Sequence, residues 1–405
     1  FLFIYLNDVR GLSGATVGVA VGWLGAVSLV LSPLGGTLVD RWGARRVLLP
    51  ALLVESVGVA SLALVTQTWQ VFAAVTAIGT GFSVIYAAQS TILSSLTDED
   101  ERQHVFGLNF ALLNLGIGLG GLVSGAVVDV SRPVTFQAIY VLDALSYLGP
   151  VIILLSMPAV GRRLVEPGAP PPRGARPVGA PQPPVGYRTV LRDAPFRRLV
   201  LFGLTLTTFG YAQIEIGFTA FATEVAQVTP RIVGWALAAN TLIIVSVQLL
   251  VLRWLRGRSR TAALAGAGGL FAAAWLTLGG AGLAGGRSAA VAVAGVVGCA
   301  MIFAVGETLL SPVMPALVNA LATDELRGRY NAVSSMTWGV SGVVGPITAG
   351  PLIGAGLGHA WVVLVVLGSV TAAGLALGLR ALLTPAQDGR AAAAGGEAVR
   401  LTSTV

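Results

Sequence analysis

Eleven apolar runs follow one another along this chain, at residues 14–39, 46–66, 69–96, 105–128, 136–157, 199–223, 232–252, 261–284, 289–318, 331–355 and 360–382. A hydrocarbon layer takes roughly 20 helical residues to cross, so every run is long enough to span it. Residues 1–7 form a shorter apolar stub, expected to be the outer end of a first helix whose remainder would need roughly 20 more residues upstream. Counting the stub gives twelve spans. Composition agrees, since 55% of the residues are apolar and only 11% charged, against roughly 25% charged in soluble domains.

The arginines set the direction. Of the 25 basic residues, all arginine, 21 fall in alternate loops, in the long central segment or in the tail, and four (Arg10, Arg132, Arg231 and Arg287) fall on the other side. Basic residues stay in the cytoplasm, so the loop after span 2, the central segment and the C-terminus are expected to be cytoplasmic. The same placement explains the net charge of +7 without a nucleic-acid partner. One cysteine, Cys299, and two histidines, His104 and His359, expected on opposite sides, leave no disulfide, metal site or nucleophile–base pair of workable spacing. Enzyme chemistry is therefore not expected.

Residues 158–198 break the apolar pattern with prolines and arginines and read as a cytoplasmic linker. They divide the chain into an N-terminal six-helix half (1–157) and a C-terminal half (199–383), followed by a tail (384–405). The halves repeat. An offset of 225 residues places Glu99, Asp100 and Arg102 on Asp324, Glu325 and Arg327, and Gly120 and Gly125 on Gly345 and Gly350. Duplicated six-helix units meeting around a midplane cavity are a transporter plan.

Between spans 2 and 3 lies Gly36-Thr-Leu-Val-Asp-Arg-Trp-Gly-Ala-Arg-Arg46. It resembles the loop 2–3 motif of the major facilitator superfamily, with Gly36, Leu38, Asp40, Arg41, Trp42, Gly43, Arg45 and Arg46 in place, and with Val39 and Ala44 departing from it. The resemblance implies an all-α membrane fold of two six-helix bundles in a bacterial inner membrane. It further implies a cytoplasmic gate in which Asp40 faces the N-terminal end of span 11. A helix N-terminus does attract a carboxylate. The corresponding loop 8–9 keeps Gly257 and a basic run but has no aspartate, so the gate is expected to be asymmetric.

Span 5 carries Gly116-Ile-Gly-Leu-Gly-Gly-Leu-Val-Ser-Gly125, and span 11 carries Ser341-Gly-Val-Val-Gly-Pro-Ile-Thr-Ala-Gly350. Gly120, Gly125, Gly345, Pro346 and Gly350 are expected on close-packing faces. The second run resembles an element associated in the family with antiport when it lies on span 5, where this chain has Gly121 in place of the proline. The family's exporter arginine on span 4 is matched by Val75.

Four carboxylates, Glu55, Asp143, Glu215 and Glu307, fall inside spans, where each needs a cavity, a partner or a proton. Glu55 and Asp143 suit structural hydrogen bonding. In the superfamily, helices 7 and 10 line the cavity, which singles out Glu215 and Glu307. Tyr211, Gln213 and Glu215 cluster on span 7, and Gly306-Glu307-Thr308 precedes Pro312 and Pro315, whose missing amide protons free carbonyls and let span 10 bend. Substrate or proton binding and buried structural bonding both remain open for the two acids, with Tyr86, Gln89 and Asn240 as companions. The Gly-Glu pair followed by proline and Arg327-Gly-Arg-Tyr330 resembles bacterial multidrug-type facilitators. The expectation is a monomeric, cofactor-free exporter of small amphiphilic molecules driven by the proton gradient. A symporter and a non-transporting sensor are the alternatives.

Overall fold

The computed structural model describes residues 2–161, 186–214 and 217–390. Most of the expected linker, the last part of the tail and Glu215 lie outside them. The described chain is helical throughout. A stub, α1 (Leu2–Ile4, continued by a π-turn Tyr5–Val9), is followed by α2 (Gly14–Trp42), α3 (Ala44–Leu62), α4 (Thr68–Ser95) and α5 (Glu99–Val127). Next comes α6, in two pieces (Pro133–Ser146 and Leu148–Ser156). After a short linker helix (Tyr187–Arg192) come α7 (Ala194–Phe209 and the irregular turns beyond it), α8 (Pro230–Leu255), α9 (Arg260–Ala284), α10 (Ala289–Leu321), α11 (Arg327–Gly354) and α12 (Gly358–Leu379).

Among the described residues, nine helices are long and apolar enough to cross a membrane. The expected spans 3 and 11 are not among the nine. Helix α3 carries Arg45, Arg46 and Glu55, and α11 is rich in serine, glycine and arginine, so both depend on their neighbours for an apolar surround. Tyr5 and Leu6 of the stub are buried in one cluster with Phe136 and Val71.

Local chemistry sets the helix ends. Gly43 holds φ 87°, a left-handed conformation that lets α2 turn into α3 without an intervening loop. Ser13 accepts the Thr16 amide at the start of α2, and Ser259 accepts the Ala262 amide at the start of α9. Pro133 and Pro230 each start a helix, where their missing amide proton has no cost.

Helix α7 departs most from expectation. The continuous span at 199–223 is instead broken at Gly210, passes through a 3₁₀ turn Tyr211–Gln213, and resumes as a single turn Gly217–Ala220 and a π-turn Phe221–Val225. Glycine is required at both ends of the break. A Cβ on Gly210 would lie 2.6 Å from the Phe271 ring, and one on Gly217 would lie 2.3 Å from the Trp361 ring.

The helices of each half pack on one another, and the halves meet along α2–α11 and along α5 with α8 and α10. Both seams are tight at the arginine-rich end. A Cβ on Gly36 would sit 2.5 Å from the Ala332 methyl, and one on Gly107 would sit 2.4 Å from Leu252. Farther along, contact loosens. A Cβ on Gly118 would meet Thr241 at 3.5 Å, while Gly18, Gly22, Gly25, Gly121 and Gly234 have no such neighbour within 4 Å. The two halves are thus closed at the arginine-rich end and parted at the other.

Candidate functional site

The closure is built on Asp40, in the last turn of α2. One carboxylate oxygen accepts the Gly328 amide at 2.6 Å; the other accepts the Arg329 amide at 3.2 Å and its Nη1 at 3.1 Å. The acid therefore caps the first turn of α11, where free amides and the helix dipole favour negative charge. Both side chains are nearly dry, Asp40 being 3% exposed and Arg329 9%. Backbone approach makes this possible, since a Cβ on Gly328 would stand 2.5 Å from the Gly36 carbonyl oxygen. About two turns along, Ser32 and Ser335 share a hydrogen bond of 3.0 Å. Val39, which departs from the family pattern, is 3% exposed and packs beside Gly328.

The other motif residues divide by role. Gly43 makes the turn. Arg45 is a strut within its own half, with Nη1 on the Leu154 carbonyl and on that of Met157 at 2.6 Å, and its amide on the Gly161 carbonyl at 3.0 Å. It is directed away from α11 because its helix starts beyond the turn and faces the end of α6. Arg41 and Arg46 are exposed.

One contact outside the motif reinforces the closure, and others brace its C-terminal side. Tyr187, from the linker helix, donates its hydroxyl to the Pro33 carbonyl, and the Arg329 guanidinium lies 5.9 Å from its ring centre. Burial raises the Tyr187 phenol above its ordinary value, so it remains a donor. Asp193 accepts the Tyr330 hydroxyl at 2.7 Å, and Asn319 and Asn331 exchange hydrogen bonds of 3.3 and 2.9 Å between α10 and α11.

The second half supplies its missing acid from elsewhere. Asp388, beyond α12 and fully buried, accepts the Thr261 amide at 2.9 Å and the Ser259 hydroxyl at 2.9 Å, capping α9. Arg390 pairs with it at 2.7 Å, and the Arg260 amide bonds the Asp388 carbonyl at 2.9 Å, as that of Arg45 bonds Gly161. Loop 8–9 therefore has its carboxylate, but the acid serves only the C-terminal half.

Of the membrane acids, Glu307 is 4% exposed and accepts Asn240 Nδ2 at 2.8 Å, with the Tyr211 side chain as a further hydrogen-bond partner. Helices α7, α8 and α10 thus converge on one carboxylate. Tyr211 leads outward from it, edge-on to Trp338 at 4.6 Å between centroids, and Trp338 is 42% exposed. Phe271 and Phe303, stacked at 4.1 Å, back the tyrosine. An acid behind an aromatic wall suits the cationic end and the flat apolar body of an amphiphile.

Gln213 is a correction to the expected binding set. It is fully buried, donates to the Thr208 carbonyl at 2.9 Å and to Thr348 at 3.2 Å, and accepts the Trp361 indole at 2.9 Å. Its amide satisfies a carbonyl freed by the break in α7, which leaves nothing for a substrate. Gln248 does the same in α10, donating at 3.3 Å to the Thr308 carbonyl that Pro312 leaves unbonded. Tyr86 and Gln89 lie on an accessible face of α4 with Phe82, and Gln89 bonds Asn109 at 3.2 Å. Glu55 accepts the Tyr147 hydroxyl at 3.1 Å, a bond between α3 and α6. Among the expected packing residues, Gly345 abuts Ala212 (2.9 Å to an added Cβ), whereas Gly120 and Gly350 meet nothing within 4 Å. The surroundings of Gly125 and Pro346 are outside what the structure describes.

Sequence reasoning missed Trp338, Gln248 and Asp388. Only Trp338 left a cue, a lone aromatic in the small-residue run of α11.

Residues 1–305 match the family model described as Major Facilitator Superfamily. An MFS-type transporter of Bacillus subtilis, YqjV, is 24% identical over 93% of this chain and 87% of its own length. The multidrug resistance protein MdtH of Photorhabdus laumondii is 25% identical over 91% and 86% respectively. Among solved structures, a bacterial homologue of the iron transporter ferroportin in an outward-facing state superposes with a TM-score of 0.74 at 13% identity, covering 93% of each chain. The human organic anion transporter MFSD10 superposes with a TM-score of 0.66 at 17% identity, over 94% of this chain and 88% of that one. With its motif seated on α11 and its family model matched over most of its length, this chain belongs to the Major Facilitator Superfamily and is a multi-pass membrane transporter.

Proposed function

We propose that the chain is a proton-coupled exporter of small amphiphilic compounds in a bacterial inner membrane, acting as a monomer, with the arginine-rich end in the cytoplasm. The observation that carries this reading is the Glu307–Asn240–Tyr211 cluster behind the exposed Trp338. A carboxyl group that is desolvated yet supplied with donors can hold its charge against a cationic substrate or give that site to a proton, which is the competition that antiport requires. The naming of relatives as multidrug resistance and quinolone resistance proteins supports the same substrate class.

On this reading the structure represents the outward-open state. Substrate leaves from the Trp338–Tyr211 wall as a proton arrives at Glu307, and the return requires the Asp40 cap to release α11. The break in α7 and the prolines of α10 are where these helices can flex without losing satisfied hydrogen bonds, because Gln213 and Gln248 hold the freed carbonyls.

Dye and antibiotic efflux from pump-deficient cells, with and without an uncoupler, tests the proposal. Uncoupler-sensitive efflux that Glu307→Gln abolishes is expected. Uncoupler-sensitive accumulation would replace export with symport, and binding without flux would point to a sensor.

A further inference from the structure

An apolar crevice of about 340 Å³ opens beside the closed end, lined by Pro33 of α2, Val200 and Leu204 of α7, Met336 and Val340 of α11, and Leu191 of the linker helix. Tyr187 forms part of its roof. At 100° per residue, Met336 and Val340 lie on the side of α11 away from Asn331, the residue that faces α10. The crevice therefore opens laterally to the bilayer, away from the Glu307 cluster. At its mouth the linker helix is amphipathic. Tyr187 and Leu191 point in, while Arg188 and Arg192, one turn apart, are exposed on the adjoining face.

We propose that this crevice is a binding site for an anionic phospholipid of the cytoplasmic leaflet, with an acyl chain between α2, α7 and α11 and the headgroup on Arg188 and Arg192. The lining can hold a hydrocarbon chain and little else, because Thr337, the polar side chain at its wall, already donates to the Ser334 carbonyl at 2.7 Å. Two arginines at headgroup level select negative charge. The walls come from both halves, so the site is whole only while Asp40 caps α11. A ligand that binds one state alone stabilises that state, and the lipid holds the cytoplasmic end closed. The inference rests on membrane orientation and not on export; transport of any compound is irrelevant to its test.

The test is native mass spectrometry of the purified, delipidated chain offered equal amounts of phosphatidylglycerol and phosphatidylcholine with matched acyl chains. Preferential retention of phosphatidylglycerol is expected. Replacing both arginines (Arg188→Ser with Arg192→Ser) should lower the preference about 30-fold, from about a tenfold effect per 1.4 kcal/mol and two surface charges. Leu191→Asp, at a position 51% exposed and so safe for folding, should release both lipids by placing a charge in the chain's path. Asp40→Asn should release them by parting the walls. Equal retention of the two lipids by the parent chain, retention unchanged by the arginine or Leu191 variants, or displacement by glycerol 3-phosphate alone would each overturn the proposal, the last by showing a headgroup site without an acyl chain.

Discussion

Removing the charge at Asp40 tests the closure at its centre. In Asp40→Asn the side chain keeps its shape, but the carboxylate that neutralises Arg329 and accepts two amides of α11 is gone. Breaking a dry ion pair from one side leaves an uncompensated charge and costs about 3–5 kcal/mol. The cost falls on the closed form alone, since opening the end lets water reach Arg329. At the lower figure the ratio of open to closed molecules rises about 150-fold. Ser32, 4% exposed and bonded to Ser335 within the seam, reports this directly as Ser32→Cys. Its reaction with a small maleimide should be slow with Asp40 present and faster by about two orders of magnitude in Asp40→Asn, as the same ratio dictates. Native Cys299 is buried and contributes little background. Adding Arg329→Met should restore slow labelling in part, because the stranded charge is then absent. Equal labelling rates with and without the Asp40→Asn substitution would refute the reasoning, whatever the transport phenotype.

Further expectations concern other parts of the fold. Gly328→Ala should open the same seam, since its methyl would stand 2.5 Å from the Gly36 carbonyl oxygen, and should raise Ser32→Cys labelling without any change of charge. Asp388→Ala should destabilise the C-terminal half by about 1–3 kcal/mol through loss of the α9 cap and the stranding of Arg390, seen as a lower melting temperature in detergent and faster proteolysis at loop 8–9. Asn240→Ala should weaken substrate binding or shift its pH dependence while leaving Ser32→Cys labelling unchanged, because it bonds Glu307 and no part of the closure. Gln213→Ala should lower stability rather than substrate affinity, as a thermal scan beside a dye-binding titration would show.

Most spans were legible because length and apolarity mark a helix able to cross a bilayer, although α3 and α11 fall short by that measure, and the ends fell within about five residues except at α5. That helix begins at Glu99 rather than near residue 105, because the charged residues 99–102 form its first turn. Asp40 at the foot of α11 was legible because its motif fixes both the turn and the acid. The break in α7 was not, since Tyr-Ala-Gln-Ile-Glu suits an ordinary helix and only the flanking Gly210 and Gly217 mark where rings of α9 and α12 press in. Gln213 was misplaced for that reason, as a break rotates every side chain beyond it. Asp388 was invisible to local reading because its partners lie about 127 residues away, a distance set by packing alone.

That last contact bears on the order in which the molecule is made. Residues 259–261 leave the ribosome long before Asp388 does, so α9 enters the membrane with the Arg260 and Thr261 amides lacking their Asp388 partner and waits for it until α12 has been inserted. Arg45 waits likewise for residues 154–161. Each half is thus latched by its own final residues, and nascent chains halted just short of position 388 should carry α9 in place yet remain open to trypsin at Arg256 and Arg258.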